Sequence, residues 1–269
     1  MTAVTTLDSS AAWASATRMV AANRDLLVAI AGVFFVLPGL AGAVFAPSPA
    51  MTPDMSETQI LAVMQDYYAT SLPLLLVLSL FPMAGMLTML VAMLDTARPT
   101  VGQAIRQSVR ALPSYFAAQL LVALAIVPLS MALASVLALL LPDRLAVSVA
   151  LGLLLYPIMR TMLVGPVVAR EGIRNPVTAI RESIGLTRRN AGRILLFIGM
   201  AGFVFLVVYG LIMMFVGVVL VLMFKGEPQR LLGEAVSGVL LAIGYTYFVA
   251  MLAAIYRQLT GDAAGAEVR

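Results

Sequence analysis

Nearly uncharged apolar runs recur along the chain at about 26–46, 70–94, 114–141, 145–168, 192–224 and 234–256, and each is long enough to cross a bilayer as a helix, which takes about 20 apolar residues. The pattern predicts six transmembrane helices. The fifth run is long enough to tilt, kink or extend into an interface. The third and fourth are separated by only a few residues around Pro142 and Asp143, which predicts a tight antiparallel hairpin. The first 25 residues are too polar and too long, and the run after them too long, for an ordinary cleaved signal peptide. Despite the small-residue stretch AGAVFAPSPA at 41–50, the first run reads as a signal anchor.

Between the runs lie segments of a different kind. Residues 175–195 read NPVTAIRESIGLTRRNAGRIL. Asn175 suits a helix N-cap and Pro176 the first helical position, while Val177, Ile180 and Ile184 fall on one face and Arg181, Glu182 and Arg189 on others. Residues 100–112 repeat the arrangement: Thr100 and Gln103 have capping-box spacing, and Val101, Ile105, Val109 and Leu112 form an apolar stripe. GQAIRQSV at 102–109 and VTAIRESI at 177–184 share Ala, Ile, Arg and Ser in register, 75 residues apart. A fainter copy spans Ser9 to Asn23, where Trp13, Met19 and Val20 interleave with Arg18 and Arg24. These segments predict amphipathic helices in the cytoplasmic interface, within a parallel internal repeat of an interfacial helix followed by a two-span hairpin.

Composition supports the membrane reading. The chain is 62% hydrophobic and 11% charged, whereas soluble domains carry roughly 25% charged residues. The expected fold is an all-α integral membrane protein, one polytopic domain over residues 1–269, with a cytoplasmic interfacial helix at 1–25 and a cytoplasmic tail at 257–269. Basic residues set its orientation. One side holds Arg18, Arg24, Arg98, Arg106, Arg110, Arg170, Arg174, Arg181, Arg188, Arg189, Arg193, Arg257 and Arg269, and the other only Arg144, Lys225 and Arg230, thirteen against three. Both termini are therefore expected in the cytoplasm of a bacterial inner membrane. The region 47–69, which carries Asp54, Glu57 and Asp66 and no basic residue, is expected to face outward.

The same composition narrows the chemistry. With no cysteine and no histidine, the chain has no disulfide, no thiolate nucleophile, no zinc or haem ligand of the usual kinds and no histidine base. No cofactor is expected, and no nucleic-acid motif occurs. The methionines, Met213 and Met214 among them, read as packing filler in the absence of softer ligands. The net charge of +4 points to anionic headgroups of the cytoplasmic leaflet as partners. Membrane-protein partners are a further expectation.

The stretch YPIMRTMLVGPVVAREGIRNPVTAIRESIGLTRRNAGRIL at 156–195 resembles a pattern in bacterial membrane proteins of the YciC-like family and the related glycerophosphoryl diester phosphodiesterase membrane domain. Tyr156, Arg160, Pro166, Glu171, Ala179, Ser183, Leu186, Thr187, Asn190 and Arg193 stand at the places of that pattern. The family usually has a glycine before the asparagine, where this chain has Arg189. The resemblance implies an inner-membrane protein of loosely defined function. Despite the phosphodiesterase name, the catalytic domain of that family is a separate soluble barrel, which this chain is too short to hold beside six spans.

Arg160 is the charge placed well inside a predicted span, about eight residues or 12 Å from its cytoplasmic end. It is a candidate contact for a lipid phosphate or substrate. The competing reading has it hydrogen-bonding carbonyls freed near Pro157 and Pro166, which would fix a kinked helix. Arg181, Arg188, Arg189 and Arg193 could gather an anion with the amides that open the fifth span, or serve only as a positive-inside anchor. Glu171 is expected to pair with Arg174 or another arginine, and Ser183, Thr187 and Asn190 to act as local caps and turn formers.

Three functions compete. The leading expectation is a non-enzymatic envelope protein that organises lipid or membrane-protein partners. The alternative is a transporter or lipid-translocating protein for an anionic or lipid substrate, using Arg160. An intramembrane hydrolase lacks a nucleophile paired with a base or a metal. A cavity reaching Arg160 would favour the alternative.

Overall fold

The computed structural model describes residues 6–49, 51–52, 54–95 and 100–261. Arg98, Arg269 and the tail from residue 262, which entered the sidedness reading, lie outside them. Among the described residues every regular element is helical: α1 (Ser9–Ala22), α2 (Arg24–Ala31), a π-helical segment (Gly32–Val36), α3 (Leu37–Phe45), α4 (Glu57–Leu94), α5 (Val101–Ala138), α6 (Asp143–Thr161), α7 (Val164–Glu171), α8 (Pro176–Thr187), α9 (Ala191–Met223) and α10 (Glu227–Thr260). Six stretches are long and apolar enough to cross a membrane, at Arg24–Phe45, Glu57–Leu94, Val101–Ala138, Arg144–Glu171, Ala191–Met223 and Glu227–Thr260. They match the six apolar runs one for one. The chain is a multi-pass, all-helical membrane protein.

Local chemistry explains where these helices start, break and stop. Thr100 accepts from the Gln103 N–H while the Gln103 side chain accepts from the Thr100 N–H, the expected capping box. Asn175 caps α8 by accepting from the Val177 N–H at 3.0 Å, with Pro176 as its first residue. In the first span Pro38 cannot donate to the carbonyl four residues back. The backbone slips into a π register just before it, and the Leu37 N–H reaches the Gly32 carbonyl.

The structure corrects three boundaries. α4 begins at Glu57 rather than near 70, so most of the connection 47–69 is helical; at 1.5 Å per residue its 38 residues run about 57 Å, well beyond a hydrocarbon core of about 30 Å. The segment 100–112 is not a separate helix but the opening of α5, which continues through Pro113. The fourth span is in two pieces, α6 and α7, parted at Met162 and Leu163. The tight connection between the third and fourth spans is present: α5 ends at Ala138 and α6 begins at Asp143, and the two pack together.

The chain divides into two compact units, and α4, α9 and α10 contribute a segment to each. The first unit holds residues 1–24, 86–204 and 247–269. Its core is built around the short helix α7, where Leu163, Val164, Val167 and Val168 are almost fully buried with Leu87, Leu90, Ile194, Leu252 and Ile255. Gly165 permits this: a Cβ there would meet Met86 Cε at 2.9 Å and Leu90 Cδ1 at 3.2 Å. The helix ends on Gly172, in the left-handed conformation at φ 62°, whose N–H bonds the Val168 carbonyl.

The second unit holds residues 25–85 and 205–246. Leu27 and Ile30 are buried there, Phe35 packs on Tyr245 at 4.8 Å, and the Tyr67 hydroxyl donates to the Ala46 carbonyl at 3.1 Å. Large apolar side chains are exposed along α5, α6 and α9, including Leu124, Leu139, Leu151, Phe203 and Phe215. In a membrane these faces meet acyl chains.

Candidate functional site

The site arises from the break in the fourth span. Pro166 has no N–H for the Met162 carbonyl, and its ring crowds that carbonyl, so the helix parts there. Arg160 consequently sits in the last turn of α6, where carbonyls lose their helical partners and a cation suits the helix dipole. Arg160 stays within the fourth span, at the end of the first of its two pieces.

Its hydrogen bonds run in both directions to α8. Arg160 Nη1 donates to the Tyr156 hydroxyl at 2.6 Å, and Nη2 to the Ile184 carbonyl at 2.9 Å. The Arg160 carbonyl in turn accepts from Ser183 Oγ at 2.9 Å and Thr187 Oγ1 at 3.2 Å. The guanidinium carbon lies 5.5 Å from the centroid of the Tyr156 ring, within cation–π range. One guanidinium nitrogen makes no hydrogen bond: Nε is buried and has no partner among the described residues. The arginine thus binds carbonyl oxygen, as the kink-fixing reading expects, but the carbonyl comes from α8 rather than from the proline-broken helix.

α8 meets this junction with a face of small residues. Ala179, Ser183, Thr187 and, beyond its end, Asn190 are all buried, one helical turn apart on one side. Val177, on the predicted apolar stripe, is exposed. α5 repeats the choice, burying Ala104 and Ser108 and exposing Val101 and Val109. Ser108 Oγ lies 2.7 Å from Thr88 Oγ1. Farther along, Ser114 donates to the Ile173 carbonyl at 2.8 Å.

The residues expected as local caps are therefore long-range ties. Ser183 and Thr187 reach back to Arg160, although the Thr187 hydroxyl also lies 2.8 Å from the Ser183 carbonyl. Asn190 Oδ1 accepts from the Leu7 N–H at 3.0 Å, and Arg193 Nη1 donates to the Leu7 carbonyl at 3.4 Å. Arg193 is thus engaged with the N-terminal segment. Arg181, Arg188 and Arg189 have other surroundings: all three are exposed. Next to Leu7, Asp8 caps α1 by accepting from Ser10 and Ala11; the Ser10 hydroxyl, then these amides, hold its carboxyl below the ordinary value.

Glu171 also finds partners other than the arginine expected for it. Its Oε1 accepts from the Tyr256 hydroxyl at 2.7 Å, and its carboxyl lies beside that of Glu182. The hydrogen bond between the two carboxyls, then partial desolvation and the Glu171 charge, hold Glu182 above the ordinary glutamate range. Charge alone suggests an arginine partner, and nothing in the spacing of 171 and 182 marks the pair.

Two clefts, of about 710 and 530 Å³, occur within the second unit, and Arg160 lines neither. Among the described residues no group of three or more acidic side chains is placed to hold a metal ion. No protein-family model, curated protein or solved structure matches this chain.

Proposed function

We propose that the chain is a non-enzymatic bacterial inner-membrane protein of the YciC-like kind, with both termini in the cytoplasm, that gathers anionic lipid and organises lipid or membrane-protein partners. The observation that carries this reading is the way α8 and the start of α5 are mounted. Each turns its small residues inward and leaves an apolar residue of its stripe exposed, Val177 or Val101, with an arginine at the surface beside it, Arg181 or Arg106. A helix so mounted lays its stripe at the headgroup boundary and its arginines among phosphates, at about 1 kcal/mol per basic residue near an anionic surface.

A repeated unit supports the same reading. Asp8, Thr100 and Asn175 each cap a helix start. Four and eight residues on stand Ala12 and Ala16, Ala104 and Ser108, and Ala179 and Ser183, all buried. Three basic helices of one design would distribute charge over a wide area of one leaflet. The arginine-rich side is then the cytoplasmic one.

Lipid analysis of the intact protein tests this. Purified in mild detergent, the wild type should retain anionic phospholipid enriched over the bulk membrane, and an Arg181/Arg188/Arg189→Gln variant should lose the enrichment. Bulk-like lipid on both proteins would refute the reading. The alternative, movement of an anionic or lipid substrate past Arg160, draws on the buried Nε that has no partner among the described residues, a donor an anion could use. It requires that an Arg160→Lys variant, which keeps the charge and loses that donor, lowers anion flux in proteoliposomes.

A further inference from the structure

The larger cleft lies in the second unit, between the last turns of α9 and the first turns of α10. Two helical stripes face each other across it. α9 contributes an apolar wall of Met213, Val216 and Leu220, and α10 a polar wall of Gln229, Arg230 and Glu234. The hydrogen bond between the Tyr209 and Ser237 hydroxyls, 2.8 Å, closes one end, and the turn at Gly226, φ 69°, closes the other. Glycine keeps the space open, since a Cβ on Gly217 would meet nothing within 4 Å. At about 710 Å³ the cleft is within the range of small-molecule sites.

The charges on the polar wall narrow the occupant. Arg230 Nη1 donates to the Ala43 carbonyl at 2.8 Å and Nη2 lies 3.7 Å from Glu227, which holds the guanidinium in place with further N–H groups to spare. Glu234 is one turn on, about 6 Å along the helix, and has no ion-pair or hydrogen-bond partner among the described residues. A purely anionic headgroup would meet Glu234, and a purely cationic one Arg230. A zwitterion satisfies both.

We propose that this cleft binds a phospholipid with a primary-ammonium headgroup, phosphate on Arg230, ammonium on Glu234 and acyl chain along the α9 wall. It goes beyond the anionic-lipid reading and rests on residues of the other unit. The full chain is reconstituted in nanodiscs of equal phosphatidylethanolamine and phosphatidylglycerol, and lipids that stay bound after transfer to detergent are counted by native mass spectrometry. Counted on an Arg181/Arg188/Arg189→Gln background, relieved of the anionic lipid held by the arginine helices, phosphatidylethanolamine should be retained about tenfold over phosphatidylglycerol, equivalent to about 1.4 kcal/mol. Gly217→Leu, which fills the cleft, should abolish retention. Glu234→Gln, an exposed change that spares packing, should erase or invert the preference while the melting temperature holds. Restoring those arginines should add phosphatidylglycerol and leave the count of bound phosphatidylethanolamine unchanged, which separates this site from the arginine helices. Equal retention of the two lipids in the Arg181/Arg188/Arg189→Gln background, or an unaltered preference when Glu234→Gln is added to it, would overturn the proposal.

Discussion

The segments led by Thr100 and Asn175 begin alike and end differently. Each starts on a side-chain cap, buries an alanine four residues on and a serine eight residues on, and ties that serine to the span before it, through Thr88 in one case and the Arg160 carbonyl in the other. After the serine they part. The first runs on through Pro113 into α5 without a break. The second stops at Thr187, turns through Arg188 to Asn190 and restarts as α9. The docking face is thus set by the alanine and serine, and whether a helix ends there is set by the residues after the serine. Thr187 and Asn190 give the second segment polar groups that leave the helix to bond elsewhere, and the first has Leu112 and Tyr115 at those places.

The comparison can be broken most severely at the buried small residues. Ala179→Leu and Ala104→Leu each force a larger side chain into a fully closed contact, which should cost about 1–3 kcal/mol or more. Both should lower the melting temperature in detergent by several degrees. An equal melting temperature in either would mean that its face does not dock.

Next is the junction itself. Arg160→Met removes charge-assisted bonds to Tyr156 and Ile184, each worth about 1.5–3 kcal/mol at most, while leaving the Arg160 carbonyl to its hydroxyl donors. It should destabilise the second segment, read as faster amide exchange in α8, and leave the opening of α5 unchanged. Removing caps should act more evenly: Thr100→Ala and Asn175→Ala should each cost about 1 kcal/mol in thermal melts. A cost confined to one of them would show that the copies differ in fold as well as in ending.

The smallest effect is on pH dependence. Glu182 is held above the ordinary glutamate range in the folded chain, so the folded state binds its proton more tightly than the unfolded state. Its contribution is present below the unfolded value and is lost as pH rises through the folded one. Glu182→Gln should flatten the stability curve from about pH 4 upward and leave the protein slightly more stable than wild type at neutral pH. The Thr100-led segment, with Gln107 at the matching place, should show no such slope.

Legibility tracks the size of the physical signal. Six apolar runs are visible because a bilayer demands long uncharged stretches, and both caps because Thr-x-x-Gln and Asn-Pro spacings satisfy free backbone donors. Pro166 announces a kink, and the structure places the break beside it. The early start of α4 is hidden because its first turns, with Gln59, Gln65 and Asp66, are polar and lie before the apolar run. The inward face of α8 is not legible for a simpler reason: the apolar stripe of Val177 and Ile184 is the visible pattern, whereas in a membrane protein small residues such as Ala179 and Ser183 do the close packing. The tie from Asn190 to Leu7 joins residues 183 apart, a distance no local pattern spans.

Arg160 locks α6 to α8, and under the proposed function Arg188 and Arg189 meet lipid. Native mass spectrometry of bound lipid, run beside thermal melts on Arg160→Met and on Arg188/Arg189→Gln, separates the two roles directly. Arg160→Met should melt several degrees lower with its anionic lipid unchanged, and Arg188/Arg189→Gln should keep its melting temperature and lose that lipid. An Arg160→Met protein that melts like wild type and has shed its anionic lipid would contradict the account and make Arg160 a ligand contact.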